Sequence, residues 1–304
     1  MKSPLSHLAV IGANFIWGLY ATICKGFLIS GLVSSWALCG IKMIGGAILF
    51  WCVSLVLPAS VASKEHIERR DLLKLFFASM LINAGSQSCI ILGLNYTSPV
   101  DGTVICSMAP IFTVVLAMLL LKQRISIIKS IGVAFGFAGA LLFVFPNILG
   151  DGVSSFVHQS GDNPLLGNTL MIVSQIFGAL YLLLFTDVLG RYSAFTLIKW
   201  LFLFSAVVLA PVTAKDIAHS DWAAMDVVSW LQLGYIIVFA TGLAYFLLVI
   251  GQKKVSPTAI AMYNYVQPIT ATISSVAIGM ATITEQEQAA TLLCLLGVYI
   301  VIRR

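Results

Sequence analysis

Long apolar stretches follow one another through almost the whole of this chain, and only short polar segments separate them. Ten stretches are close to the roughly 20 residues that a helix needs to cross the hydrocarbon core of a bilayer. Charged residues make up 10% of the 304 residues and hydrophobic residues 60%, whereas a soluble domain of this size would need far more charge to cover its surface. The sequence therefore predicts an all-α membrane protein with ten transmembrane helices.

The spans are placed by the apolar runs and by the charged or glycine-rich connectors between them. Proline removes a backbone donor and breaks helices, so we expect breaks at Pro58, Pro146 and Pro211. The predicted spans are 7–29, 33–57, 72–94, 99–121, 127–146, 167–189, 193–213, 228–250, 256–280 and 286–302.

Lysine and arginine residues indicate the orientation of the chain, because cytoplasmic segments carry an excess of both. With a cytoplasmic N-terminus, thirteen of the seventeen fall in cytoplasmic segments, only Lys25 and Lys215 fall outside, and Lys42 and Lys199 lie within spans. Both termini are therefore predicted to be cytoplasmic. The net charge of +5 follows from this topology and does not indicate a nucleic-acid partner.

The second half of the chain repeats the first. When the sequence is shifted by 158 residues, Pro99 falls on Pro257 and Pro110 falls on Pro268. Five spans in each copy make the second copy cross the membrane in the opposite sense, and such inverted repeats are typical of transporters with a binding site near the midplane. The predicted divisions are a first five-helix repeat at 1–146, an extracytoplasmic connecting loop at 147–166 and a second five-helix repeat at 167–304.

Three short motifs resemble those of EamA-type members of the drug/metabolite transporter superfamily. They are Asn14–Gly18 (Asn-Phe-Ile-Trp-Gly), Ser98–Pro110 with its mid-helix proline, and the polar turn at Leu121–Ser126 before the fifth span. Ser256–Pro268 repeats the second motif in the other half. The resemblance covers nearly the whole chain. It implies a secondary transporter of small metabolites, often amino acids, that frequently works outward across the bacterial inner membrane.

Three positions depart from the family's pattern. Its members usually carry a glutamate in the turn after the fourth and ninth spans, where this chain has Gln123 and Ala281. They often carry an arginine in the second span, where this chain has Lys42. Because lysine is a point charge and not a bidentate fork, ideas about carboxylate binding by that arginine transfer only in part.

Polar side chains at mid-membrane depth are the candidate binding residues, because each is unfavourable there unless it reaches water or a partner. Asparagine and glutamine also bond across helices, so interhelical bonding is the alternative for this set. Ser79, Asn83 and Gln87 follow the four-residue spacing of one helix face. The predicted substrate-binding residues are Asn14, Trp17, Lys42, Asn83, Gln87, Tyr181, Lys199, Tyr245, Asn264 and Gln267.

Lys42 and Lys199 are the most specific of these candidates. A lysine at the centre of a membrane helix costs about 2.5–3.5 kcal/mol on insertion scales. Lys42 lies too deep in its span for easy snorkelling, and we expect it to attract a substrate carboxylate or phosphate. A structural bond to backbone carbonyls is the alternative for both lysines. Pro110 and Pro268 are predicted hinges, with static kinking for helix packing as their alternative.

Several chemistries have no support in the residues. The four histidines lie at or outside span ends and the cysteines lack metal-type spacing, so no metal site is predicted. There is no Walker motif, no catalytic cluster and no mid-membrane carboxylate, so we predict neither an enzyme nor a cofactor. Gly132, Gly136 and Gly139 have the spacing of close helix packing and not of a nucleotide loop.

The predicted function is secondary transport of a small organic solute across the bilayer by alternating access. An exchanger of phosphorylated or nucleotide-linked sugars is the alternative within transport, and it calls for more basic residues than two lysines. An intramembrane enzyme or a sensor is the alternative of another class. The identity of the solute, the direction of flux, the coupling and the oligomeric state stay open at this stage.

Overall fold

The computed structural model describes residues 4–56, 65–122, 126–144, 163–252, 254–255, 260, 263–280 and 285–303. Within these ranges the chain is helical and contains no strand. The helices are α1 (Pro4–Ile29), α2 (Ser35–Val56), α3 (Arg69–Tyr96), α4 (Pro99–Ser107), α5 (Ala109–Leu121), α6 (Ile127–Val144), α7 (Pro164–Leu184), α8 (Thr186–Leu189), α9 (Ala194–Ala218), α10 (Val227–Gly234, Tyr235–Leu243 and Ala244–Gln252 in succession), α11 (Val266–Ala277) and α12 (Glu285–Arg303).

Six helices, α1, α2, α3, α7, α9 and α10, are each long and apolar enough to cross a membrane. Helices α4 and α5 meet at a 43° bend and together would form a seventh span. Shorter apolar helical stretches occupy Ser130–Leu142 and Gln288–Val301. The prediction of an all-α membrane protein is confirmed. By length and composition, the described helices supply six spans, or seven with the bent pair, where ten were predicted.

Two predicted span ends are wrong. Helix α9 continues through Pro211 to Ala218, because a membrane helix tolerates an internal proline when neighbouring groups satisfy the freed backbone. The sixth predicted span extends to residue 189, but α7 ends at Leu184 and the four residues of α8 form a separate turn. Pro58 and Pro146 lie outside the described residues.

The placement of Lys25 in an outer loop is also wrong. Lys25 lies inside α1, is 3% exposed, and donates from Nζ to the carbonyl oxygen of Asn95 at 2.9 Å. Asn95 belongs to the last turn of α3, where carbonyl groups have no partner within the helix and carry the negative end of the helix dipole. A buried ammonium is stabilised at such a helix end.

Helices α3 and α10 each contain a π-helical stretch, Met80–Gln87 and Tyr235–Leu243 respectively. A π-helix bonds residue i to i+5 and so has more residues per turn than an α-helix. Of the predicted stripe at four-residue spacing, Asn83 and Gln87 lie within the π-helical stretch of α3, and Ser79 directly precedes it.

Polar caps followed by proline set the starts of α4 and α7. The Ser98 side chain accepts a hydrogen bond from the backbone of the first turn of α4, and Pro99 follows it. Asn163 and Pro164 make the same arrangement at α7. Both residue pairs suit a helix start, because the cap accepts from a free N–H group and proline has no N–H group that would need a partner in the first turn.

The principal helix packing joins the first half of the sequence to the second. Helix α2 lies along α9, and α6 lies along α12. Helix α1 packs against α10 and α11, while α7 packs against α3, α4 and α5. Helix α4 also contacts α11. The interior of the bundle therefore lies between the halves and not within either of them.

A glycine face brings α6 and α12 into close contact. A Cβ atom added at Gly297 would lie 2.5 Å from the backbone nitrogen of Gly136 and 2.6 Å from the carbonyl oxygen of Gly132. A Cβ atom added at Gly139 would lie 2.8 Å from the carbonyl oxygen of Ala290. The prediction that these glycines permit close helix packing is confirmed.

We predict that Gly297→Ala destabilises the protein by about 1–3 kcal/mol, because the added methyl group meets rigid backbone on both contacts. Gly234→Ala is the matched control, since nothing lies within 4 Å of a Cβ atom at that helical glycine. Thermal unfolding in detergent measures both variants. Equal melting temperatures for Gly297→Ala and Gly234→Ala would contradict the packing account.

Candidate functional site

A cavity of about 150 Å³ lies between α1, α2, α3, α4, α7 and α10. Its polar and aromatic lining residues are Trp17, Tyr20, Lys42, Gln87, Thr103 and Tyr245. Its other lining residues are Ala21, Ile90, Leu94, Gly102, Cys106 and Met171. Trp17, Lys42, Gln87 and Tyr245, which are four of the ten predicted binding residues, are therefore brought together at one cavity.

Lys42 is the charged residue of this cavity and is 3% exposed. Its Nζ donates to Gln87 Oε1 at 2.7 Å and to the Tyr20 hydroxyl oxygen at 3.2 Å. The same nitrogen lies 4.4 Å from the centroid of the Tyr20 ring, within the range of a cation–π interaction. Lys42 on α2 thus bonds to residues of α1 and α3, and both partners also line the cavity.

Aromatic rings form one wall of the cavity. The rings of Trp17 and Tyr245 meet edge to face with their centroids 5.3 Å apart, and Phe202 packs on Tyr245 at 5.7 Å. Trp17 Nε1 donates to the carbonyl oxygen of Ala240 at 3.0 Å. Ala240 lies in the π-helical stretch of α10, so this irregular backbone holds the indole in place.

Helix α4 contributes a thiol and a hydroxyl group, Cys106 and Thr103, to the lining of the cavity. Gln175 Nε2 donates to Cys106 Sγ at 3.4 Å and to Ser174 Oγ at 2.7 Å. The Thr103 hydroxyl donates to backbone carbonyls of the preceding turn of α4. Within the described ranges no three His, Cys, Asp or Glu side chains come close enough together to hold a metal ion.

Asn14 and Gln267, both predicted to bind substrate, bond to each other. Gln267 Nε2 donates to Asn14 Oδ1 at 2.7 Å, and Asn14 Nδ2 donates to the carbonyl oxygen of Val10 at 2.9 Å. Asn14 is fully buried, and neither residue is among those that line the cavity. The pair joins α1 to α11 close to Asn264, whose backbone carbonyl accepts from the Gln267 N–H at 3.1 Å.

The other predicted residues lie apart from the cavity lining. Lys199 is partly exposed, and its Nζ lies 4.6 Å from the ring centroid of Trp51. Tyr181 packs against an apolar cluster that includes Leu201. Asn83 is 3% exposed, and its Nδ2 atom is buried without a hydrogen-bond partner in the described part of the chain.

The two predicted hinge prolines lie at helix starts. The chain bends by 43° at Met108, between α4 and α5, and Pro110 is in the first turn of α5. Pro268 is likewise in the first turn of α11. Each proline thus occupies a position that it favours, and the break in the helix precedes it.

A charged cluster joins the start of α3 to the connector between α7 and α9. Arg191 Nη1 donates to Asp71 Oδ2 at 2.9 Å, and the Tyr192 hydroxyl donates to the same oxygen at 2.8 Å. Lys74 forms an ion pair with Asp187. The hydrogen bond from Lys74 lowers the pKa of the Asp187 carboxyl, so this ion pair is present at neutral pH and is lost only as the pH falls through that lowered value.

Sequence reasoning missed the charged cluster and several lining residues. Tyr20 lies three residues after Trp17 and so shares its helix face, which is a signal that the sequence contains. Thr103 and Cys106 have the same three-residue spacing within the Ser98–Pro110 motif. Periodicity alone did not select these residues, because every face of a membrane helix is apolar.

We predict that Asn14 and Gln267 are energetically coupled. Replacing either residue with leucine removes this bond. A double-mutant cycle in detergent should give a coupling free energy of about 0.6–1.7 kcal/mol, from the average to the largest value measured for hydrogen bonds between membrane helices. Additive effects of Asn14→Leu and Gln267→Leu would contradict the bonded pair.

The chain resembles a known protein family along almost its whole length. The sequence profile of the EamA-like transporter family matches residues 4–145 and 165–303. Uncharacterized transporter YetK of Bacillus subtilis (strain 168) is 24% identical over 275 residues, covering 90% of this chain and 77% of that protein. An uncharacterized transporter of Archaeoglobus fulgidus is 23% identical over 240 residues, covering 79% of this chain and 81% of that protein.

A solved crystal structure shares the fold, with a TM-score of 0.61 and 16% identity over 97% of this chain and 95% of that one. The family profile covers nearly the whole sequence, and the relatives are named as transporters. The chain belongs to the EamA-like transporter family and is a multi-pass membrane transporter.

Proposed function

We propose that this transporter moves a small organic solute, in the class of amino acids and related metabolites, through the cavity around Lys42 by alternating access. The observation that carries the proposal is the buried Lys42 ammonium at the edge of a cavity. An ionisable group at membrane depth is unfavourable and is typical of a substrate pathway. The cavity is lined by α1 to α4 from the first half and by α7 and α10 from the second.

The architecture we propose is ten spans in two inverted five-helix repeats. The same family profile matches both halves, and the main helix contacts support a twofold relation between them. If the two halves are exchanged, α7 takes the place of α1 and α3 takes the place of α10, so the α1–α10 contact corresponds to the α7–α3 contact. Helices α2 and α9 correspond to each other, as do α6 and α12, so each of these pairs is its own counterpart. Inverted repeats of this kind provide alternating access, because the two halves can exchange their conformations around one site.

The π-helical stretches connect cavity residues to irregular segments of the backbone. Gln87 is the last residue of the stretch in α3, and the Ala240 carbonyl that binds Trp17 lies in the stretch in α10. A solute anion that bonds to both Lys42 and Gln87 would strengthen the contact between α2 and α3, at a point where the helix is already irregular.

We assign the charged cluster of Asp71, Lys74, Asp187, Arg191 and Tyr192 to the cytoplasmic gate. The excess of lysine and arginine supports cytoplasmic termini in the bacterial inner membrane, and this orientation puts the cluster on the cytoplasmic side. The cluster ties the first half to the second with hydrogen-bonded ion pairs that must break if the cavity opens to that side. The family resemblance supports outward transport.

The alternatives have less support. A phosphorylated or nucleotide-linked sugar carries two or more negative charges, and the described lining of the cavity contains the single cation Lys42. An enzyme that used the Cys106 thiol of this lining as a nucleophile would typically pair it with a histidine, and the described lining contains no histidine or carboxylate.

We predict that Lys42→Met lowers saturable solute flux about tenfold or more in liposomes, because hydrogen bonds to a charged group contribute about 1.5–3 kcal/mol. Lys199→Met should retain most of the flux, since Lys199 stands over Trp51 and does not line the cavity. Flux of a labelled panel of amino acids and organic anions measures both. Equal losses in the two variants would contradict a site centred on Lys42.

We predict that Asp71→Asn opens the cavity toward the cytoplasm. In a chain with Cys52 and Cys89 replaced by serine, a membrane-impermeant thiol reagent should label Cys106 roughly tenfold faster in inside-out vesicles, which corresponds to a shift of about 1.4 kcal/mol in the gate equilibrium. Glu285→Gln, which changes an exposed carboxylate outside the cluster, is the control. An unchanged labelling rate in Asp71→Asn would contradict a role of the charged cluster in the gate.

A further inference from the structure

The cavity offers one positive charge and, among its described lining residues, no negative charge. Lys42 is its cation, and none of the other lining residues carries a carboxylate. The ammonium of an amino acid would find no opposite charge there, and the face of Tyr20 already holds the Lys42 ammonium. A doubly charged phosphate would find one cation only. The charge balance fits an occupant with a single negative charge.

The hydrogen-bonding groups that remain for an occupant are mainly donors. An ammonium has three N–H groups, and Lys42 uses two of them on Gln87 and Tyr20. Gln87 accepts through Oε1, and its Nε2 makes no hydrogen bond to the described residues. The Tyr245 hydroxyl likewise makes none within the described part of the chain, whereas the Thr103 hydroxyl proton is already donated to backbone carbonyls.

A carboxylate is the organic group that matches this set, because it is an acceptor with two oxygens and one negative charge. Lys42, Gln87 and Tyr245 can each donate to it. Charge-assisted hydrogen bonds from such donors are shorter and stronger than neutral ones. The three donors belong to α2, α3 and α10, so one carboxylate would bridge both halves of the chain.

The size and walls of the cavity limit the rest of the molecule. Its volume of about 150 Å³ is below the range of about 300–1,000 Å³ that holds drug-sized ligands. The walls are the rings of Trp17 and Tyr245 and the side chains of Ile90, Leu94 and Met171. Such walls favour a compact aromatic or aliphatic group.

We propose that the transported solute is a small monocarboxylate with a compact aromatic or apolar remainder, held through its carboxylate by Lys42, Gln87 and Tyr245. The inference rests on the proposed transport through this cavity, and within the proposed class of amino acids and related metabolites it selects the monocarboxylates and excludes the zwitterionic amino acids. Zwitterionic amino acids and phosphorylated solutes are then poor substrates, because the second charge of each has no partner.

Four solutes that share a phenyl ring and differ in charge test the proposal: phenylacetate, phenylglycine, benzylamine and phenyl phosphate. Binding to the purified full-length protein is measured by calorimetry in detergent, and flux is measured in liposomes. We expect phenylacetate to bind at least tenfold more tightly than the other three and to show the fastest saturable flux.

Three variants assign the binding to the cavity. Lys42→Met should weaken phenylacetate binding about tenfold or more, the usual effect of losing a hydrogen bond to a charged group. Tyr245→Phe should weaken it a few-fold while the ring stays, which keeps the test informative if Lys42→Met does not fold. Lys215→Met, which changes an exposed lysine in the last turn of α9, should bind like the wild type.

The outcomes separate the two proposals. Phenylacetate binding without flux would support the monocarboxylate site and overturn transport through it. Saturable flux of phenylglycine, benzylamine or phenyl phosphate that equals or exceeds that of phenylacetate would leave transport intact and overturn the monocarboxylate class. The monocarboxylate class would also be overturned if phenylacetate did not bind, or if Lys42→Met and Tyr245→Phe both bound it as tightly as the wild type.

Discussion

A lysine ammonium buried in a membrane helix must keep its hydrogen bonds or lose its charge, and Lys42 is held under that constraint. Its bonds to Tyr20 and Gln87 join α2 to α1 and α3, so the position of three helices depends on one nitrogen atom. The remaining N–H group has no partner among the described residues. One N–H group of the ammonium is therefore left for a further acceptor, whose binding would complete the hydrogen bonds of Lys42.

Close helix packing places this site between the two halves of the chain. A Cβ atom at Gly18 would lie 2.6 Å from the carbonyl oxygen of Gln267, and one at Gly46 would lie 2.5 Å from the ring of Phe202. Glycines therefore set the distance between α1 and α11 and between α2 and α9, where lipid gives no hydrophobic force for association. The irregular segments of α3 and α10 provide points at which the chain can bend.

The sequence predicted those features that depend on local chemistry. Apolar length predicted the membrane class, glycine spacing predicted close helix packing at α6, and the depth of Lys42 marked it as a candidate site residue. Features that depend on helix geometry could not be predicted from the sequence. The π-helical stretches of α3 and α10 interrupt helices whose apolar sequences are continuous, and an α-helical wheel cannot anticipate them. Lys25 shows the same limit, since its carbonyl partner is 70 residues away along the chain.

Protection of Cys106 from thiol modification tests most directly whether solute binds beside Lys42. Cys106 lines the cavity, and replacement of Cys52 and Cys89 by serine leaves only buried cysteines besides it. The account predicts that phenylacetate slows the modification of Cys106 in a saturable manner, with the same half-maximal concentration as its transport, and that Lys42→Met abolishes the protection. Saturable transport with no change in the rate of Cys106 modification would contradict a solute site in this cavity.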